Sequence, residues 1–453
     1  MSRRRRVDPA RLVAFGVLRQ VTAEGAYANL ALAGARAGLS PRDAGFVTEL
    51  VSGTARLLGT YDRILTAASG RDTARLDPDL LDALRLGCHQ LLSMRVPDHA
   101  AVAATVELAA AAVGERTAGL TNAVLRKVSA RDLAGWVEVL GAAEDETGRL
   151  ALATHHPRWI VEAWQRLLPD PAELAEALAA DNIAPRVHLA VRPGLAEVAE
   201  LGGQPLPYSP FGAVTTGDPG ALPAVAEHRA GAQDEGSQLV ALALSRVPAP
   251  AGHWLDLCAG PGGKAALLAG LAIAEGSRLL AAELQLHRAR LVAANLSGYA
   301  RNPITRPLAP VTVVADGTRP AWPPGSFTRV VADVPCSGLG ALRRRPEARW
   351  RHQSSDLPGL VRLQGALLAS AIAAAAPGGV VAYVTCSPHP AETREVVADV
   401  DPALVEVLPA ADYLPEVPGA ADGPHLQLWP HRHGTDAMFL ALFRRRPTPP
   451  PHH

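Results

Sequence analysis

Five short apolar runs follow His253, each closing on an acid, a thiol or a glycine loop, with helix-like stretches between them. The runs are Trp254-Leu255-Asp256-Leu257, Arg278 to Glu283, Val311 to Asp316, Arg329 to Asp333 and Val380 to Cys386. Their length and apolar character mark buried strands. Regular alternation of strand and helix predicts an α/β fold: a mostly parallel sheet with helices on both faces. The alanine-rich helix before Val380 is expected to end near Pro377-Gly378-Gly379. Leu426 to Trp429 and Met438 to Phe443 read as an antiparallel pair at one edge. In such open sheets ligands bind at the carboxyl ends of strands, so the residues closing each run are the first site candidates.

The preceding residues carry other patterns. From 8 to about 130 the periodicity is helical: Leu81, Leu84, Cys88, Leu91 and Leu92 share one face, as do Val102, Val106, Ala109 and Val113. Ser40-Pro41 reads as a helix cap with proline in the first turn. Cys88 lies on the apolar stripe and reads as a core thiol. His155-His156 invites a metal reading, but no third ligand is near in sequence, so a structural or RNA-facing role is preferred. Pro185 to Arg192 alternates like a half-buried strand with basic residues on one side. Glycines and prolines from Gly202 to Gly220 mark loops. The expected domains are therefore a helical binding or docking domain (1–135), a linker with a small α+β subdomain offering a basic face (136–235), an α/β domain (236–445) and a disordered tail (446–453).

The 453 residues carry 44 Lys+Arg against 44 Asp+Glu, so bulk charge does not draw this chain to a polyanion, although a local basic groove is compatible with it. No run approaches a membrane span and no apolar core follows Arg3 to Arg6, so the reading is a cytoplasmic protein without membrane partner. Arg3 to Arg6 reads as a solvated tail, with an RNA contact as the alternative. The four cysteines, Cys88, Cys258, Cys336 and Cys386, match no zinc spacing, and no metal is expected. Only two lysines occur, Lys127 and Lys264. In an arginine-rich chain, Lys264 at the end of a glycine loop suggests a need for an ammonium point charge.

That loop is Cys258-Ala259-Gly260-Pro261-Gly262-Gly263-Lys264. Its glycines let the backbone approach a ligand, and the next helix offers free N–H groups. It lacks the Gly-x-Gly-x-x-Gly spacing of dinucleotide binders, which disfavours a dehydrogenase. Glu283, about twenty residues on, is placed to hold ribose hydroxyls. Asp316 closes the third run within reach of an adenine amino group, and Asp333 closes the fourth. Three acids in succession suit a ligand with a ribose, an adenine and a cationic amino-acid end, as S-adenosylmethionine has.

Two runs deliver thiols: Asp333-Val334-Pro335-Cys336-Ser337-Gly338 and Thr385-Cys386-Ser387. A pyrimidine is not nucleophilic at carbon 5. A thiolate added at carbon 6 makes carbon 5 enamine-like and able to take a methyl group from a sulfonium, and cysteine both attacks and leaves well. The chemistry needs a lowered thiol pKa and a base lifted from its stack. Asp333 is placed to hydrogen-bond the pyrimidine edge. The plain alternatives are two small buried residues at strand ends, or a redox pair. Residue types alone do not order the two thiols.

These motifs together resemble the RNA cytosine-5 methyltransferases. Gln233-Asp234-Glu235-Gly236-Ser237-Gln238 is similar to that family's lead-in to its cofactor domain, and Arg343-Arg344-Arg345-Pro346-Glu347 with Trp350 to the segment after its Pro-Cys. The helical first domain resembles the NusB fold. The pairing is similar to the bacterial RsmB (Sun/Fmu) family, which methylates a cytosine of 16S ribosomal RNA. The resemblance implies a Rossmann-like S-adenosylmethionine-dependent methyltransferase domain behind a NusB-like domain. It implies Cys386 as nucleophile and Cys336 as the thiol that assists product release, with Asp333 and Lys264 in the catalytic set. It implies that Cys258, Ala259, Gly260, Pro261, Gly262, Gly263, Lys264, Glu283, Asp316 and Asp333 bind the cofactor. A monomer acting on 16S rRNA before the subunit is finished is expected. Ala391, Thr393 and Ala437 depart from the family pattern, at positions where relatives often carry Glu, Asn and Gly. Transfer to tRNA, or an RNA-binding assembly factor without catalysis, are the competing readings; the attack on cytosine is also compatible with DNA.

Overall fold

The computed structural model describes residues 7–36, 38–215 and 217–447. The Arg3 to Arg6 run and residues 448–453 of the tail lie outside the described residues. The chain divides into two compact units, Met1–Ile183 with Leu342–Gln353, and Ala184–Ala341 with Ser354–His453.

The first unit is helical. Its helix Pro41–Ser69 begins where Ser40 accepts a hydrogen bond from the Asp43 amide, and it ends at Gly70 in the left-handed region (φ 69°). Leu84 and Cys88 on Pro78–Leu92, and Val102 and Ala109 on Asp98–Ala112, enter one core with Leu50 and Leu125. Burial holds the Cys88 thiol well above its ordinary pKa, so this is an inert packing group. His156 is buried with Nε2 3.4 Å from Asp181 Oδ2. Burial, then the Arg349 guanidinium, lowers His155 to about 4 and His156 well below its ordinary value, so both rings are neutral at pH 7.

The segment Leu342–Gln353 follows the Pro-Cys loop in sequence yet belongs to this helical unit. Arg349 is fully buried and donates to His155 O and Asn182 Oδ1, both at 2.9 Å. The Trp350 ring lies against Gly59, where any side chain would collide with it.

The second unit holds two sheets. Strands β1 (Val187–Val191), β2 (Gln204–Pro205), β3 (Gly212–Thr215) and β4 (Ala230–Ala232) form the smaller one, in the order β2-β3-β1-β4. The basic face expected of the 185–192 strand is not there. β1 is a central strand with His188 to Val191 all buried, and Arg192 turns inward to donate to Asn295 Oδ1 at 2.7 Å. Only Arg186 of its basic residues stays exposed, because both faces of the strand are covered.

The larger sheet comprises β5 (Trp254–Asp256), β6 (Leu279–Glu283), β7 (Val311–Val314), β8 (Phe327–Asp333), β9 (Ala375–Thr385), β10 (Val405–Leu408), β11 (Ala421–Asp422), β12 (His425–Gln427) and β13 (Phe439–Arg445). Its order is β11-β12-β13-β9-β8-β5-β6-β7, with β10 also on β13. The five strands from β9 to β7 run parallel, and β13 is antiparallel to β9 and to β12. This is the expected Rossmann-like sheet with an antiparallel edge. Val330, Val331, Val380 and Val381 are buried because helices cover both faces.

Two expectations need correction here. The helix Leu357–Ala374 stops short of Pro377-Gly378-Gly379, which lies inside β9 where an irregular register against β8 absorbs the extra residues. The stretch Ser354–Ala374 is also long and apolar enough to cross a membrane by length and composition. Its apolar residues Leu367, Leu368, Ala371 and Ile372 instead join the core formed with β8 and β9.

Candidate active site

The carboxyl ends of the parallel strands form one row. Read across the sheet, it runs Cys386 after β9, Asp333 at the end of β8 with Cys336 beyond it, the glycine loop after β5, Glu283 at the end of β6, and Asp316 two residues past β7. Chain direction across the sheet reverses between β5 and β8, and such a switch point opens a crevice for ligands. The structure thus assembles the residues singled out from sequence into two adjacent groups.

The first group surrounds the glycine loop. The Ala259 amide donates to Ala282 O at 2.9 Å, tying the loop to β6. The Gly260 amide donates to Glu283 Oε2 at 3.1 Å, and Gly260 O accepts from Arg288 Nη2 at 2.7 Å. A Cβ on Gly260 would overlap the Glu283 carboxylate, so only glycine leaves this cradle open. Pro261 O accepts from Asn295 Nδ2 at 2.9 Å, and Gly262 sits at φ 115° just before the helix Gly263–Ala274. Burial, then the carboxylates of Asp256, Asp333 and Glu283, keep the Cys258 thiol protonated; its contribution is packing and backbone. Asp316 Oδ1 accepts from the Thr318 hydroxyl (2.7 Å) and amide (2.9 Å), which holds its carboxyl below the ordinary range. The first amides of the helix Gly263–Ala274, beside a strand-end acid, are a donor set that fits a ribose and an amino-acid carboxylate.

The second group surrounds the thiols. Cys336 Sγ and Cys386 Sγ lie 3.4 Å apart. The hydrogen bond to Cys386, then burial, then charge on Cys386 and Glu392, raise the Cys336 thiol well above its ordinary pKa. Lys264 Nζ reaches Asp333 Oδ2 at 2.9 Å and Ser237 Oγ at 3.1 Å. Burial opposes the ammonium, but Asp333, with Cys386 and Asp256 behind it, outweighs burial and lifts the Lys264 pKa. The two groups therefore share one half-buried ion pair.

Sequence reasoning missed Asp256. It closes β5 as Glu283 closes β6, and that position was the available signal. It is fully buried, Oδ1 accepts from the Cys258 amide at 3.3 Å, and Oδ2 has no hydrogen-bond partner. Burial, then the charge on Asp333, push its pKa up to about 7. An unfolded aspartate titrates near ~4. The folded protein therefore binds this proton more tightly. The resulting stability is complete below about pH 4 and is lost as pH rises through about 7. Asp256→Asn is expected to melt with the parent near pH ~4 and several degrees above it near pH ~8. Melting curves of both proteins at several pH values check this; a constant offset would refute it. Ser237, Arg288 and Glu392 were also passed over, although Glu392 stands between the two departures noted at Ala391 and Thr393.

Fold and site together define a Rossmann-like methyltransferase domain, joined in this chain to a helical domain. Comparison with known proteins makes the assignment particular. Residues 242–444 match the family of 16S rRNA methyltransferase RsmB/F, and residues 8–130 match the NusB family. A Mycobacterium tuberculosis protein named as a methyltransferase is 49% identical, covering 98% of each chain. Ribosomal RNA small subunit methyltransferase B of Pseudomonas putida is 32% identical over 85% of this chain and 87% of its own, and that of Sodalis glossinidius 31% over 95% and 96%. The solved structure of PH0851 superposes with a TM-score of 0.78 over 96% of this chain and 99% of its own, at 19% identity. The chain belongs to the RsmB/F methyltransferase family, whose cofactor is S-adenosylmethionine.

Proposed function

We propose that this protein methylates carbon 5 of a cytosine in 16S rRNA through a covalent adduct between Cys386 and carbon 6 of the base. The observation that carries this reading is the pair of thiols 3.4 Å apart beside the Lys264–Asp333 ion pair. Named relatives that act on small-subunit ribosomal RNA support the choice of polymer. Glu283 would hold ribose hydroxyls, Asp316 the adenine amino group, and the amides of Gly262 and Gly263 the amino-acid end. When bound, S-adenosylmethionine supplies an electrophilic methyl group.

The chain's own residues do the rest. Cys386 adds to carbon 6, and the π electrons of the 5,6 double bond move to carbon 5. Asp333, oriented by Lys264, accepts a hydrogen bond from the amino edge of the base and steadies the adduct. After alkylation, the carbon-5 proton leaves to a base, the double bond re-forms and the Cys386 sulfur departs. Cys336, once its own proton has passed to solvent, would be the base that takes it. We further read the protein as a cytoplasmic monomer acting before the subunit is finished.

The test uses methyl-labelled S-adenosylmethionine with undermodified 16S rRNA, tRNA and DNA, followed by mapping of 5-methylcytosine. Label at one 16S cytosine is expected. Label in tRNA alone would keep the chemistry and discard the substrate. No label with cofactor still bound would favour an assembly factor.

A further inference from the structure

Glu392 lies six residues beyond Cys386, on the turn Pro390–Glu392, and its side chain is fully buried. Its carboxylate accepts from four neutral donors. Oε1 receives the Ser337 amide at 2.7 Å and Gln364 Nε2 at 3.0 Å. Oε2 receives the Ser387 hydroxyl at 2.7 Å and the Ser337 hydroxyl in a shorter bond. Ser337 follows Cys336, and Ser387 follows Cys386. The two serine hydroxyls also meet each other at 3.0 Å. Gln364 extends the lattice, because Nε2 also donates to Pro335 O at 2.9 Å, on the other side of Cys336. The turn itself is fixed from the sheet, where the Tyr383 hydroxyl donates to Glu392 O at 2.7 Å.

We propose that Glu392 is a positioning residue: one buried carboxylate that ties the two thiol loops together and sets the spacing of Cys336 and Cys386. The two thiols arrive on separate strands, β8 and β9, and beyond the ladder a backbone bond from the Gly340 amide to Cys386 O at 2.8 Å joins the loops without holding either thiol side chain. An acceptor that takes three of its four hydrogen bonds from the two loops supplies that fixed point. Hydrogen bonds to an ionised acceptor are the stronger kind, and their burial strengthens them further. Apart from geometry, Glu392 is among the charges that keep the Cys336 proton in place, after the hydrogen bond to Cys386 and burial. The proposal rests on the reading that these two thiols react with the base. Its test therefore includes a readout that does not need the reaction.

Phenylarsine oxide supplies that readout. It condenses with two close thiols: two S–H bonds and the As=O bond are lost, two S–As bonds form and water leaves. The full-length parent and Glu392→Gln are each treated and weighed intact. Bridging at Cys336 and Cys386 is expected to be about tenfold slower or more in Glu392→Gln, with methyl transfer kcat down by about 100-fold and KM for RNA and S-adenosylmethionine within about threefold. Glu392→Asp, which keeps the charge but not the reach, is expected to recover part of both. If Glu392→Gln melts earlier than the parent, the Ser337→Ala, Ser387→Ala double variant carries the same expectations. Unchanged bridging in a folded variant overturns the proposal, whether or not methyl transfer falls. A parent that bridges but transfers no methyl group overturns the reaction assignment instead, and the bridging comparison still decides the role of Glu392.

Discussion

Cys386→Ala is expected to reduce methyl transfer to background, a loss of roughly 10⁴-fold or more, while leaving S-adenosylmethionine binding within about twofold of the parent. The argument begins with position. Cys386 follows the last residue of β9, in the strand row but on the side of β8 away from the glycine loop and Glu283. Removing its sulfur touches none of the loop's hydrogen bonds to Glu283, Arg288 or Asn295. The argument continues with charge. Lys264 has Cys386 among the groups that favour its ammonium, so by reciprocity a Cys386 thiolate is favoured by Lys264. Without that thiolate, carbon 5 stays unreactive, and no neighbouring group replaces the lost bond. Cys336 is 3.4 Å away in the parent, and in the variant burial and the Glu392 charge still disfavour its thiolate. Label transfer to 16S rRNA measures the first expectation, and calorimetric titration with S-adenosylmethionine the second. A Cys386→Ala enzyme that still turns over would mean that Cys336, or no cysteine, is the nucleophile.

The parts of this fold legible in the sequence are those written in local pattern. Buried parallel strands such as β8 and β9 are continuous apolar runs, and the residues that close them are fixed by where the run stops. That is why Asp333, Cys336, Cys386, Glu283 and Asp316 emerge as one row before any coordinates. Burial from distant elements is not local. The 185–192 strand has the alternation of a half-exposed strand, but β3 and β4 flank it and Arg192 turns in to Asn295. Hydrogen-bond networks are not local either. Glu392 stands between two departures from the family pattern, but no local pattern shows its burial, and its proposed role depends on Ser337 and Gln364, which come from other elements. Leu342–Gln353 carries no mark that it leaves the unit that precedes and follows it. The proposed order of the two thiols rests on the charges around them, Lys264 for Cys386 and Glu392 for Cys336, and residue types do not encode those.

That order leads to the second large effect. Cys336→Ala is expected to trap the enzyme as a stable covalent adduct with its RNA, visible as a slow-migrating band in denaturing gels, with multiple turnover reduced by about 100-fold or more. In the free enzyme the leading cause of the raised Cys336 pKa is its hydrogen bond to Cys386, reinforced by charge on that sulfur. Addition to carbon 6 turns the Cys386 sulfur into a neutral thioether. The hydrogen bond and the charge that held the Cys336 proton then weaken together. Cys336 can then release its own proton to solvent and, as a thiolate, take the carbon-5 proton. On the proposed mechanism, the first step thus readies the second. Alanine at 336 leaves attack and alkylation intact but removes this base, and elimination stalls with the sulfur–carbon bond in place. Adduct formation should require S-adenosylmethionine for full yield and should vanish in the Cys336→Ala, Cys386→Ala double variant. Adduct that persists in the double variant would place the bond on another residue. Normal turnover by Cys336→Ala would show that the proton leaves to solvent or to a different base.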